Sequence, residues 1–158
     1  MDVKELIDNL KLTVHPEGGY YRETYRSTES IITGNGKVRN ISTVIYYLLE
    51  NEKKSRFHRI QSDELWFFHQ GQPLEISVID GGKLSIIHLG NEIGKGEVPQ
   101  AIIPANCWFA SSVKNLAGYS LVSCTVAPGF DFLDFELASR EKLIQQYPNL
   151  KSIIEKYT

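Results

Sequence analysis

Between Tyr20 and Phe130 the hydrophobic residues come in short runs closed by glycine, asparagine or proline, and this rhythm constrains the fold more than any other feature. The runs are rich in β-branched and aromatic residues, as in "ISTVIYYLLE" at 41–50, which favours pleated strands over helix. "TGNGK" at 33–37 has the composition of a tight hairpin turn, and Asp80-Gly81-Gly82 joins "LEISVID" to "KLSIIHLG" in a second one. "AIIPANCWFASS" and "YSLVSCTVAPGF" add further strands. Only the ends change period. Val3, Leu6, Ile7 and Leu10 fall at helical spacing over residues 2–11, and Leu150, Ile153, Ile154 and Tyr157 do so after Pro148-Asn149. Many short strands bracketed by helices predict an all-β sandwich or barrel with short terminal helices.

The chain's 158 residues suit a single domain over 1–158, large enough to bury a full core. With 17 basic residues against 19 acidic ones, the net charge of −2 supplies no attraction for nucleic acid or an anionic membrane. No apolar stretch has the length of a membrane span, and the start lacks the apolar run of a signal peptide. Cys107 and Cys124 are too few for a disulfide framework. The expectation is a cytoplasmic protein. "GNEIGKG" at 90–96 has the wrong spacing for a phosphate loop, and no GxSxG, CxxC or HExxH occurs.

Chemistry concentrates in "FHRIQSDELWFFHQG" at 57–71. With Gln61-Ser62-Asp63 as a hairpin turn, strands 56–60 and 64–69 run antiparallel and His58 sits across from Glu64. Ile60, Trp66 and Phe68 share their face, while Leu65, Phe67 and His69 point the other way. A strand apolar on both sides needs two covers, so Leu65, Phe67 and strand 41–50 predict a homodimer. An enclosed His–Glu pair shifts each partner's pKa and marks a candidate site; the plain alternative is a buried ion pair with no chemistry.

The order of His58, Glu64 and Gly71 resembles the first motif of the cupin superfamily, His-x-His-x(3 or 4)-Glu-x(6)-Gly, with Ile60 at the second histidine. "PANCWF" at 104–109 resembles the second motif, Pro-x-Gly-x-x-His, with Asn106 at the glycine and Phe109 at the histidine. "HPEGGYYRETYRS", "SRFHRIQSDELW", "IIPANCWFA" and "TVAPGFDFLDFEL" together look like the uncharacterised cupin family five, over about residues 4 to 138. The resemblance implies a double-stranded β-helix, usually dimeric, with a ligand pocket inside the barrel. It does not imply a known reaction. Metal-binding cupins use three histidines and a glutamate; here Ile60 and Phe109 stand at two of those positions, so no metal is expected and the cofactor is unknown. Any metal would fall on His58 and Glu64, a shell too small for a transition ion.

The expected partner is a small-molecule ligand, with His58, Glu64 and Tyr21 as candidate catalytic residues. Tyr21, Glu23 and Tyr25 share one face of strand 20–26, with Arg22 and Arg26 on the other. Glu23, Tyr25, Tyr46, Trp66, Phe68, Gln100 and Phe109 are the candidate ligand contacts; Tyr46 and Tyr47 lie on opposite faces, so at most one of them lines the interior. "DFLDFEL" at 131–137 reads as structural, with phenylalanines on the sheet and acids outward. The leading function is a metal-independent acid–base enzyme, epimerase- or isomerase-like, on a sugar-like or nucleotide-linked ligand. A non-catalytic binding or sensing module uses the same pocket, and a metal-dependent cupin enzyme lacks its ligands. An inert scaffold would fill the pocket with side chains. The residues leave catalysis and binding unseparated.

Overall fold

Asp2 caps the first helix: its side chain accepts the Glu5 N–H while Glu5 reaches back to the Asp2 N–H, a reciprocal capping box. The computed structural model describes residues 2–158. After helix α1 (Val3–Leu10) come β1 (Thr13–Val14), β2 (Tyr20–Arg26), β3 (Ser30–Ile32), β4 (Val38–Asn40), β5 (Thr43–Glu50), β6 (Lys54–Arg59) and β7 (Asp63–Gly71). The chain continues through β8 (Leu74–Asp80), β9 (Lys83–Leu89), β10 (Gln100–Ile103), β11 (Trp108–Val113), β12 (Tyr119–Ala127) and β13 (Glu136–Leu137). It ends in α2 (Arg140–Gln146) and α3 (Lys151–Lys156).

The strands form a six-stranded sheet, β1-β2-β5-β12-β7-β10, and a five-stranded sheet, β13-β6-β11-β8-β9, with β3 and β4 as a separate pair. Tyr47, Leu49, Trp66, Ile76, Val78, Phe109, Val122 and Cys124 fill the space between the two sheets. Helices α2 and α3 cover the outer face of the five-stranded sheet through Phe57, Trp108, Leu143, Ile154 and Tyr157. Helix α1 covers part of the other outer face, where Leu6 and Leu12 meet Leu48 and Leu121. This is the β-sandwich with short terminal helices that the strand rhythm predicts. No helix among the described residues is long and apolar enough to cross a membrane.

Two expectations are corrected here. Strands β6 and β7 are not a hairpin; the chain turns a corner at 61–62 and changes sheet. His58 therefore has Phe109 and Leu137 as its neighbours, while Glu64 lies between Ile103 and Val126. In addition, the second apolar face of β5 is covered by α1 within the chain, through Leu48 and the half-buried Tyr46.

The motif positions have a backbone reason. Gly71 takes φ +100°, and a Cβ there would lie 2.1 Å from the Tyr119 carbonyl oxygen. Asn106, at the second motif's glycine, takes φ +65°, a left-handed geometry that asparagine tolerates better than most residues.

Candidate functional site

A cavity of about 510 Å³ opens between the sheets. The six-stranded sheet supplies Tyr21, Glu23, Arg26, Thr43, Ile45, Tyr47, Glu64, Trp66, Cys124 and Val126; β6 and its end supply His58 and Ile60. Two loops complete it, one carrying His15 and Glu17, the other Phe130, Asp131, Phe132 and Phe135. The volume falls within the range of small-molecule pockets.

The first loop explains the density of charge in "HPEGGYYRETYRS". His15 N–H donates to Gly19 O at 3.0 Å and Gly18 N–H to His15 O at 3.0 Å, closing the segment on itself. Arg56 N–H donates to Glu17 O at 2.9 Å and docks the loop on β6. The approach is tight enough that a Cβ on Gly18, at φ +116°, would stand 2.0 Å from Lys54 O. Only glycine fits there. The docking brings Glu17 to His58, whose Nε2 lies 2.8 Å from Glu17 Oε2. Ser55 Oγ donates to Glu17 Oε1 at 2.9 Å, and all three side chains are buried.

The protonation pattern follows from the partners. His58 Nδ1 lies 2.7 Å from Arg56 O, and a carbonyl only accepts, so Nδ1 carries a hydrogen. Nε2 then faces a carboxylate oxygen, and a proton must lie between them. Burial disfavours charge on both groups, yet the pairing overrides it. Glu17 is lowered to about 2, chiefly by His58, and His58 is raised above its ordinary value, chiefly by Glu17. The pair is an imidazolium–carboxylate. His15 behaves oppositely: its Nδ1 accepts the Glu17 N–H at 3.2 Å, and burial pulls its pKa down. It is the neutral tautomer with hydrogen on Nε2.

Glu64 is the unpaired acid. It is 7% exposed, and no cation among the described residues lies within ion-pair distance of it. Burial, and then the charge of Glu17, push it up to about 7, against the pull of His58 and of the nearby Cys124 thiol and Trp66 indole. The buried Trp66 Nε1–H is near enough to favour the Glu64 charge but does not reach hydrogen-bond geometry with it. Arg26, by contrast, is paired. It grips Glu23 with Nε at 2.9 Å and Nη2 at 2.7 Å, and donates to Asn40 Oδ1 at 2.8 Å and Phe130 O at 3.1 Å.

The structure brings His58, Glu64, Tyr21, Glu23 and Trp66 to one cavity. The predicted pairing of His58 with Glu64 is replaced by pairing with Glu17, which no motif in the sequence singles out. The available signal was two ionisable residues flanking Pro16 beside two glycines. Tyr25 is 54% exposed and outside the cavity. A bulge at Thr24, where Glu23 pairs with Ile45 and Tyr25 with Val44, reverses the alternation and turns Arg26 inward instead.

Tyr47 lines the cavity in place of Tyr46, whose ring packs outside beneath Arg22 and α1. Phe68 packs against the core but lines a separate depression with Gly71 and Pro73. Gln100 is exposed beside Phe67. Phe109 lies behind the wall, its ring 4.1 Å from that of His58. Segment 131–137 also differs: Phe132 and Phe135 line the cavity, and Asp134 turns in to accept from Arg39 at 2.6 Å and Lys37 at 2.8 Å.

The donor set does not suit the metal of metal-binding cupins. Both His58 nitrogens are engaged, His15 Nδ1 accepts a backbone N–H, and Ile60 and Phe109 present hydrocarbon. No cluster of three His, Cys, Asp or Glu side chains suited to a metal ion occurs among the described residues.

A β-sandwich with a cavity between its sheets and these two motifs defines a cupin. The chain belongs to the family described as "Cupin superfamily (DUF985)", Cupin_5, whose model matches residues 4–138. Among its relatives is the uncharacterized protein YML079W of Saccharomyces cerevisiae, 31% identical, covering 84% of this chain and 73% of that protein. Two solved structures cover the whole chain. A hypothetical protein from Leishmania major has TM-score 0.95 at 36% identity over 99% of its own chain, and protein SO0799 from Shewanella oneidensis has 0.92 at 40% over 98%. Oxalate decarboxylase from Bacillus subtilis, at TM-score 0.58 and 12% identity over 92% of this chain and 36% of its own, shares the fold alone.

Proposed function

We propose that this cupin binds a small molecule in the cavity and performs metal-independent acid–base chemistry on it, of the epimerase or isomerase kind, with Glu64 exchanging the proton. One observation carries the reading: of two buried carboxyls in one cavity, Glu17 is paired with His58 at 2.8 Å, while Glu64 has no cation among the described residues within ion-pair distance. This holds the first down at about 2 and lets burial push the second up to about 7. Such divergence separates a fixed charge from a group that trades protons at neutral pH. His58, charged and bonded at both nitrogens, holds Glu17 in place and does not serve as the base. Tyr21, whose ring packs edge-on to His15 at 4.5 Å, stands at the same wall. Of the ligand classes expected from the sequence, nucleotide-linked sugars fit poorly, because both cations that line the cavity, His58 and Arg26, are already paired with Glu17 and Glu23.

The test begins with a thermal-shift screen of metabolites, since a ligand of the folded state raises apparent stability. Each binder is then incubated with protein in D2O, and loss of carbon-bound hydrogen is followed by proton NMR. Exchange that slows by about 10²–10⁴-fold in Glu64→Gln, with binding retained, supports catalysis. Binding without exchange makes the protein a sensing or carrier module.

A further inference from the structure

The charges around the cavity are unequally spoken for. Of its positive groups, His58 is committed to Glu17, and Arg26 is paired with Glu23 through Nε and Nη2 and donates further to Asn40 and the Phe130 carbonyl, leaving one Nη1 N–H. His15 is neutral, because its Nδ1 accepts a backbone hydrogen bond. Of the negative groups, Glu17 and Glu23 are paired, and Asp131 has Arg39 at 3.9 Å. Glu64 faces the cavity with no cation among the described residues within ion-pair distance, His58 acting on it from farther away. An anionic ligand entering here meets surplus carboxylate, and the two cations at the wall, His58 and Arg26, are already paired with Glu17 and Glu23.

The remaining wall is aromatic. Phe130, Phe132 and Phe135 form one cluster with ring centroids 4.9–6.3 Å apart, and Tyr47 and Trp66 form another at 5.6 Å. Aromatic faces attract cations, and more so in a desolvated site. Beside Glu64 the Trp66 ring is 1% exposed. A buried carboxyl without an ion-pair partner beside the Trp66 ring, in a cavity whose other wall carries the partly exposed phenylalanines, is complementary to one ligand chemistry. We propose that the cavity recognises an organic ammonium group, placed against Glu64 and flanked by Trp66 and the phenylalanine cluster. The assignment rests on the small-molecule reading above and narrows it to a cationic ligand class.

The test uses three compounds of nearly one shape: choline, 3,3-dimethylbutan-1-ol and 3,3-dimethylbutanoate. They carry positive, zero and negative charge on or beside the same branched head. Calorimetric titration of the full chain is expected to rank choline first, about tenfold tighter than the alcohol, with the acid weakest. Glu64→Gln should bring choline to within about threefold of the alcohol and leave the alcohol unchanged, because only the ionic component is removed. Equal binding of choline and the alcohol, or preference for the acid, overturns the charge assignment and leaves small-molecule binding intact. Silence of all three across the millimolar range also overturns it. The metabolite screen separately decides whether the cavity binds anything, so the two failures are distinguishable.

Discussion

Replacing Glu64 by glutamine should stabilise the protein at alkaline pH and do little at acid pH. Burial and Glu17 raise the carboxyl from 4.5 to about 7, so the folded chain holds this proton more tightly than the unfolded chain does. Between those two values folding takes up a proton. Stability contributed by the neutral acid is therefore fully present below about 4.5, declines as pH rises, and is lost above about 7. At about 1.4 kcal/mol per tenfold change in proton affinity, the ionised carboxylate costs the fold about 3 kcal/mol. Glutamine has the same shape and cannot ionise. Its advantage should grow from near zero at acid pH to about 3 kcal/mol, or about 6–12 °C in Tm for a chain of this size.

Two neighbours must not confuse the reading. Glu17, lowered to about 2, changes its contribution below pH 4.5, outside the window. His58, raised above 6.5 against burial, chiefly by Glu17 and least by Glu64, loses its contribution as pH rises through its folded pKa in both proteins, at slightly lower pH in the variant. Its imidazole titration is followed by NMR alongside. The assay is urea and thermal unfolding of wild type and Glu64→Gln at half-unit steps from pH 5 to 8.5. A variant less stable than wild type at the alkaline end, or a difference that does not change with pH, would refute the buried, unpaired acid.

Glu17→Gln removes the partner of His58 while the histidine stays buried, so it should cost about 3–5 kcal/mol by chemical denaturation. The same variant should lower the imidazole pKa, read by NMR titration, since burial is then opposed only by the Arg56 carbonyl and the charge of Glu64. We also expect a homodimer by sedimentation velocity at micromolar concentration. Ile32, Val38 and Leu133 are 77%, 63% and 79% exposed, Ile102 is 54% exposed beside Leu65, and a sedimenting monomer would count against these faces being covered.

Much of the fold was legible along the chain. Strand rhythm, the Gly81-Gly82 turn and the helical period at both ends need only local chemistry to be read, because alternation and turn geometry are properties of a few consecutive residues. The spacing of His58, Glu64 and Gly71 likewise carried the family, and the structure gives Gly71 a reason to be glycine. Glu64 and Trp66, two apart on one strand, could be put on one face from sequence.

What tertiary structure alone decided is which groups meet. Residue parity tells which side chains share a face, but not which face has a second sheet opposite it; hence Tyr47 lines the cavity and Tyr46 lies under α1. One extra residue at Thr24 reverses parity and exchanges Tyr25 for Arg26. His58 and Glu64 lie six positions apart in "HRIQSDE", yet they belong to different sheets, because three residues can turn a corner as readily as close a hairpin. Glu17 reaches His58 from 41 positions away only because Gly18 lets its loop press against the Lys54 carbonyl. Charge pairing of that kind depends on distance in space, and no local pattern in the chain encodes it.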